Sequence, residues 1–531
     1  MWPQLVNPLG LMPLSALAAA VPLVVLLVLM GGLRKSGALA AAWGFATACL
    51  LAILVWRMPV KLAALSAGFG AAFALWPILW IVFTALWLYN LSVETGQFDL
   101  LRRWMAHHAS GDPRLQAILV AFCFGALLEG MAGFGAPVAV AAFLLVGLGF
   151  SPRKAVTVAL IANTAPVAFG SLGTPIVALA GVTSLDQMKL SAMVGRQLPF
   201  LSFVLPAYIV GVVAGWKALK EVLPATLVGG TSFALAQFTV SNYWGPYAAD
   251  IVAALTSIAA FVAYLRISNL GARLEAGAAP TCDQSRKLTF SESLAAWAPW
   301  VVLVAVMIAW SGLKFFQRGQ VPLALPGLHN AIFLTLYQKP YSAIYMFQPL
   351  AAGTAALAAI FITALIFRVA PRMLLRAALQ TLRQLRKPGL TVMMIVALAY
   401  LYNYSGMAYT LGAALASLGG AFPFFSGFLG WIACFLSGSD TASNLLFGNL
   451  QVAAGHQIGV NPVLLAATNS SGAVTGKMIS PQNIAVGVTT VGLIGKEGDV
   501  LRSTFWHSLV LATFLSLLAL AQAYWLKWMV P

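Results

Sequence analysis

Charge is what this sequence has least of. Aspartate and glutamate supply 13 of 531 residues, and charged residues of both signs reach only 8% against 61% hydrophobic. That balance cannot clothe a water-facing globule, which excludes a soluble enzyme or binding module. The four cysteines (Cys49, Cys123, Cys282, Cys434) are scattered without metal or redox spacing, so no disulfide framework is expected. The five histidines (His107, His108, His329, His456, His507) show no HExxH or related ligand pattern, which argues against a membrane metalloprotease. The stretch SGAVTGKM, residues 471–478, falls short of a phosphate loop. Ser471 replaces the first glycine, and Met478 stands where a hydroxyl would hold magnesium. No nucleotide or other cofactor is expected, so any transport must draw on an ion gradient.

Long apolar runs are abundant instead. Runs near the length of about 18 residues that marks a transmembrane helix candidate recur along the whole chain. Spans are predicted near 13–32, 37–56, 70–93, 193–216, 222–241, 248–265, 295–314, 347–367, 389–405 and 505–527. No Lys or Arg precedes Arg34, so the first run lacks the basic start of a secretory signal peptide and is expected to be retained. The net charge of +17 sits in short loops, as the positive-inside rule requires, so the partner it implies is the lipid bilayer and not nucleic acid. The segment 368–388 carries six basic residues and no acid, and its arginines at 368, 372, 376 and 383 suit a surface helix on the cytoplasmic side. Counting back places loop 266–293 (Arg266, Arg273, Arg286, Lys287), Lys217 with Lys220, and Arg34 with Lys35 inside. Both termini and the loop 315–346 then fall outside. So do Arg57 and Lys61, against the rule.

Two regions resist a simple span count, 115–182 and 424–490. The first contains LLEGMAGFGAP, residues 127–137, in which Glu129 is the only acid or base between Leu115 and Gly149 apart from the Cys123 thiol. As one straight helix, the 35 residues of 115–149 would measure roughly 52 Å, well beyond a hydrocarbon core of about 30 Å. Glycines and a proline at the centre favour a re-entrant hairpin of two half-length helices meeting at Glu129–Pro137. Backbone of that kind is tolerated inside a bilayer only when protein or a wet cavity surrounds it. The glutamate is therefore expected in a polar pocket.

The second region echoes the first. NTAPVAFGSLGTP (163–175) and NSSGAVTGKMISP (469–481) share an asparagine, a glycine seven residues on, a hydroxyl at Thr174 or Ser480, and a closing proline. Upstream, GFSP (149–152) echoes GVNP (459–462), with an offset of about four residues between the two alignments. Counted through the spans, the two units run in opposite senses. Inverted repeats with interrupted helices are a recurring plan of secondary transporters, with ligands held between half-helix ends.

Four blocks, LLEGMAGFGAPVA, NTAPVAFGSLGTPI, SGSDTASNLLFGNLQ and NSSGAVTGKMISPQNIA, resemble the lactate permease family along the full length. The resemblance implies a bacterial inner-membrane carrier that moves L-lactate, often D-lactate and glycolate, together with protons. The Asn-Thr and Asn-Ser elements are also similar to the Ser-Asn-Thr motifs of the wider ion-transporter superfamily, where an elevator motion is the rule. Ala162 and Thr468 stand where serine is usual there.

The expected fold is an all-α polytopic membrane protein with about 12 transmembrane spans plus two re-entrant hairpins, an inverted repeat with two broken helices. Its division is 1–93 scaffold, 94–216 first repeat, 217–367 central scaffold, and 368–531 second repeat. Glu129 and Asp440 are candidate proton carriers, because a desolvated carboxyl can load and release a proton. The competing reading is a structural hydrogen bond. Lys477, the only lysine or arginine between Ala421 and Lys496, either attracts a substrate carboxylate or neutralises Asp440 or Glu129. Asn163, Thr164, Ser171, Thr174, Asn469, Ser470, Ser471 and Ser480 suit a 2-hydroxy monocarboxylate, or else satisfy broken-helix backbone. Arg196 reads as a snorkelling interface arginine and the tyrosines at 400, 402 and 404 as packing. Sodium coupling, an anion channel and a membrane enzyme are the rival readings. Homo-oligomerisation is left open.

Overall fold

The computed structural model describes every residue except 34, 109–110, 134, 271–273 and 275–287. Arg34, Cys282, and Arg273, Arg286 and Lys287 of the expected inner loop lie outside the described residues. The apolar runs form helices, some of whose starts carry local caps. Ser36 accepts from the amide of Leu39, and Thr289 with Glu292 forms a reciprocal capping box. Among the described residues eleven helices are long and apolar enough to cross a membrane, twelve if one bent pair counts as a span. The chain is an all-α multi-pass membrane protein.

Several elements differ from expectation. The surface helix 368–388 and the span 389–405 are one continuous helix, Pro371–Ser405, with Pro388 inside it. One face of its first half packs on protein, while Leu375, Leu379 and Leu382 are exposed on the rest. Ala377, Thr381 and Leu385, four apart, are buried. Asn90 Nδ2 donates to Thr381 Oγ1 at 2.8 Å and to Gln384 Oε1 at 2.9 Å, and Glu94 pairs with Arg376 at 3.6 Å. The span expected at 347–367 is the 15-residue helix Ala352–Ile366, about 22 Å long. A helix that the pattern did not announce, Met407–Ala416, follows a left-handed Gly406.

The loop 315–346 carries short strands. Val321–Ala324 pairs antiparallel with Ile344–Phe347, while Trp2–Pro3 pairs in parallel with Ile332–Leu334, which pairs in turn with Lys339–Pro340. The N-terminus and this loop therefore share one face. Lys61 lies beside Gly327 on that same face. The C-terminus joins them through Arg196, whose guanidinium donates to Asn242 Oδ1 at 2.8 Å and to the Met529 carbonyl at 2.9 Å. Arg114 with Glu221, Lys154 with the Val213 carbonyl, and His108 with Arg266 mark the opposite face.

Two helical hairpins and two interrupted helices occupy the middle. The first hairpin has unequal limbs, Pro113–Met131 and Ala136–Gly147, so Glu129 sits in the last turn of a limb and not at the tip. The second hairpin joins Phe422–Ser437 to Asp440–Ile458 through a left-handed Gly438. Pro152–Ala162 and Val167–Thr183 form the bent pair, at 65°. The second interruption separates Pro462–Lys477 from Pro481–Thr490. Asn163 thus sits at a break, whereas Asn469 lies inside an unbroken helix. The shared Asn–Gly–Pro pattern marks related sequence without fixing where the helix opens.

Candidate functional site

Glu129 is 3% exposed and Lys477 6% exposed, and they meet. Lys477 Nζ donates to Glu129 Oε1 at 2.6 Å, joining the first hairpin to the end of the second interrupted helix. Asn163 Nδ2 donates to the other oxygen, Oε2, at 3.0 Å. Gly170 permits this approach, since a Cβ there would lie 2.7 Å from Glu129 Oε1. The hairpin, the first break and the second interrupted helix therefore converge on one carboxylate.

Asp440 has a different neighbourhood. It opens the second limb of the second hairpin, is 2% exposed, and accepts from Ser470 Oγ at 2.8 Å through Oδ2. Its Oδ1 has no hydrogen-bond partner among the described residues. Asn444 Nδ2 donates to Ser470 Oγ at 3.1 Å and to the Pro175 carbonyl at 3.2 Å, tying this cluster to the first interrupted helix. Asn469 Nδ2 donates to Asn444 Oδ1 at 3.0 Å, while its Oδ1 accepts from Gln451 Nε2 at 3.3 Å. Asn469 is thus saturated by protein.

The hydroxyls divide into two groups. Thr174 Oγ1 donates to the Ser171 carbonyl at 2.6 Å, satisfying backbone freed where Ser171, Leu172 and Gly173 take positive φ. Thr164, Ser471 and Ser480 are buried, and their hydroxyls have no partner among the described residues. Buried donors of that kind call for an explanation, and a polar ligand supplies one. The break before Pro481 also holds the second hairpin tip, where Asn483 Nδ2 donates to the Gly438 carbonyl at 3.0 Å.

Other residues lie apart. Tyr400 donates to the Gly181 carbonyl and Tyr402 to the Ala19 carbonyl, both as buried packing groups. Cys49, Cys123 and Cys434 are free thiols. A cavity of about 550 Å³ is lined by Arg153, Lys154, Asp499, Arg502 and His507, none of which touches the Glu129–Lys477 pair. The polar partners Gln237, Asn444 and Gln451 escaped the sequence reading, as did one acid, Asp250. Asp250 is 1% exposed in the first turn of Ala249–Ser268 and accepts from Gln237 Nε2 at 3.3 Å. A weak signal was present, an acid at the start of an apolar run.

Comparison with known proteins shows the family to which the chain belongs. The family model described as L-lactate permease matches residues 15–526. The glycolate permease GlcA of Escherichia coli is 42% identical over 550 residues, covering 98% of each chain. An L-lactate permease of Salmonella typhimurium is 41% identical over 558 residues, covering 100% of both. Among solved structures, the Alcanivorax borkumensis YdaH transporter matches with a TM-score of 0.50 at 16% identity, covering 93% of this chain and 100% of that one. That last likeness is one of fold alone. By the family match and the full-length relatives, this chain belongs to the L-lactate permease family.

Proposed function

We propose that the chain is a secondary carrier that takes up L-lactate, and related 2-hydroxy monocarboxylates such as D-lactate and glycolate, together with a proton across the bacterial inner membrane. The names of the relatives support the substrate class. One observation carries the coupling, the buried contact between Lys477 Nζ and Glu129 Oε1 at 2.6 Å.

The pair is neutral as it stands. Removing one partner from such a pair leaves an uncompensated buried charge and costs about 3–5 kcal/mol. A substrate carboxylate that takes Lys477 from Glu129 would strand the glutamate, unless Glu129 gains a proton in the same event. Anion binding and proton binding then become a single favourable exchange. Asn163 fixes where the proton goes. Its amide donates to Oε2, so Oε1, the oxygen facing Lys477, is the one that takes the proton. The unpartnered hydroxyls of Thr164, Ser471 and Ser480 suit the remaining carboxylate and 2-hydroxyl oxygens. Asp440 is the second candidate proton carrier. Ser171, Thr174, Asn469 and Ser470 hold the surrounding backbone and side chains in place.

In this reading 94–216 and 368–531 are inverted repeats, each with a re-entrant hairpin followed by an interrupted helix, and 1–93 with 217–367 is scaffold. The face bearing both termini is the periplasmic one. The elevator motion implied by the resemblance would carry the pair across.

The deciding experiment is uptake of labelled L-lactate and glycolate into proteoliposomes, with a pH gradient imposed and sodium varied independently. Accumulation that follows the pH gradient without sodium supports the proposal. Accumulation that needs sodium and ignores the pH gradient replaces it with a sodium-coupled carrier, and non-saturable flux replaces it with a channel.

A further inference from the structure

Asp250 belongs to neither hairpin nor interrupted helix, yet it reaches the same pocket. The connection before it is folded inward, with Pro246 buried against Gly173 in the first interrupted helix. Its helix opens at Ala248 without a side-chain cap. Among the described residues Asp250 Oδ1 accepts only the long bond from Gln237 Nε2, and that amide also donates to the Ala165 carbonyl at 3.1 Å, inside the first break. Asp250 Oδ2 has no partner among the described residues. A Cβ on Gly130, next in chain to Glu129, would lie 3.1 Å from the Asp250 Cβ.

The ionisable groups around Asp250 are few. From the first hairpin comes Glu129 and from the second interrupted helix Lys477, both within electrostatic reach. The neighbouring helix Leu219–Tyr243 presents uncharged Gln237, and the Cys123 thiol is engaged with Ser257 at 3.2 Å. One lysine therefore pairs with Glu129 and lies within electrostatic reach of Asp440 and Asp250. Only one of these carboxyls can be ionised against it without stranding a charge.

We propose that Asp250 is a second proton station, which hands its proton to Glu129 in each transport cycle. The inference rests on the proton-coupled reading above. In the step, carried through an intervening water because no direct hydrogen bond joins the two side chains among the described residues, the O–H bond at Asp250 Oδ2 breaks and an O–H bond forms at Glu129 Oε1, so Lys477 is released to a substrate carboxylate. The Asp250 carboxylate left behind sits at a helix N-terminus, where aligned peptide dipoles favour negative charge. It regains a proton from the face carrying the 244–248 connection as the substrate carboxylate pairs with Lys477, so no buried charge is left stranded. Because Asp250 packs beside the Glu129–Gly130 turn of the first hairpin and has no contact with the hydroxyls proposed for lactate among the described residues, it acts on the proton and not on substrate binding.

The test compares wild type, Asp250→Asn and Asp250→Glu in proteoliposomes. Two readouts are taken, lactate counterflow at equal pH and accumulation driven by a pH gradient. The proposal expects Asp250→Asn to keep counterflow and lose accumulation, with Asp250→Glu restoring it. It is overturned if Asp250→Asn accumulates lactate like wild type. It is equally overturned if both variants lose counterflow and accumulation together, which marks a structural role. If wild-type accumulation itself ignores the pH gradient, the proton-coupled reading fails first and the inference falls with it.

Discussion

Lys477 donates to Glu129 at 2.6 Å across 348 positions of sequence, and each is more than nine-tenths buried. The contact bridges the two halves of the chain and gives the site its only paired charge among the described residues at that depth. Severing it in different ways should separate the cost of a stranded charge from the loss of a contact. Glu129→Gln and Lys477→Met are each expected to destabilise by about 3–5 kcal/mol, and the double variant to recover most of that loss. Thermal unfolding in detergent reads this directly. Lactate should raise the Tm of Glu129→Gln more than that of wild type, because it supplies the missing anion. Additive losses in the double variant would show that the pair is not coupled.

The second hairpin packs on the second interrupted helix through bare backbone. A Cβ at Gly472 would lie 2.0 Å from the Gly427 carbonyl oxygen, where nothing flexible can give way. Gly472→Ala should therefore destabilise by at least the 1–3 kcal/mol or so typical of overpacking, and reduce transport through misplacement of Lys477. Gly498, with nothing within 4 Å of its Cβ position, supplies the control. Gly498→Ala should leave unfolding and uptake unchanged, and an equal effect of the two substitutions would count against this packing.

Sidedness follows from the shared face of the N-terminus and loop 315–346. In a cysteine-free background, Gln338→Cys should react with a membrane-impermeant thiol reagent added to intact cells. Lys220→Cys should react only after permeabilisation. The reverse pattern would invert the orientation proposed above.

His108 gives a prediction in pH. It ends the amphipathic helix Gln97–His108, where its Nδ1 donates to the Trp104 carbonyl at 2.8 Å and its Nε2 accepts from Arg266 at 2.6 Å. Burial, assisted by Arg266 and His107, pulls its pKa below the ordinary imidazole value. A histidine depressed in the folded state contributes stability that is full above the unfolded pKa of about 6.5 and is lost as pH falls through the lower folded value. The Tm difference between wild type and His108→Ala should be largest at neutral pH and shrink in acid. A difference that grows in acid would contradict the contact.

Much of the site was legible because charge is so scarce. Glu129 stood out as a lone acid among glycines, and Lys477 as a lone base, but sequence left open which acid the lysine meets. The answer depends on how two distant hairpins dock. Asn163 and Asn469 aligned well, yet only Asn163 sits at a break. In that alignment the second opening, Met478–Ser480, corresponds to Leu172–Thr174, where the first unit has its positive-φ turn and not its break at Asn163. The arginines of 368–388 have one spacing whether the helix stops or continues into a span, and the face that meets Asn90 and Glu94 on another helix is not marked by them. Asp250 reads locally as an interfacial acid ahead of an apolar run. Its burial follows from Pro246 being folded against Gly173, which no local pattern announces.

The central claim is that Glu129 takes the proton that lets Lys477 accept the substrate. Its most direct test is labelled L-lactate uptake by wild type and Glu129→Gln, side by side, with and without an imposed pH gradient. Glutamine mimics the protonated acid, so the variant should exchange lactate but fail to accumulate it in response to the gradient. Gradient-driven accumulation by Glu129→Gln at the wild-type level would contradict the account and return Glu129 to a purely structural role.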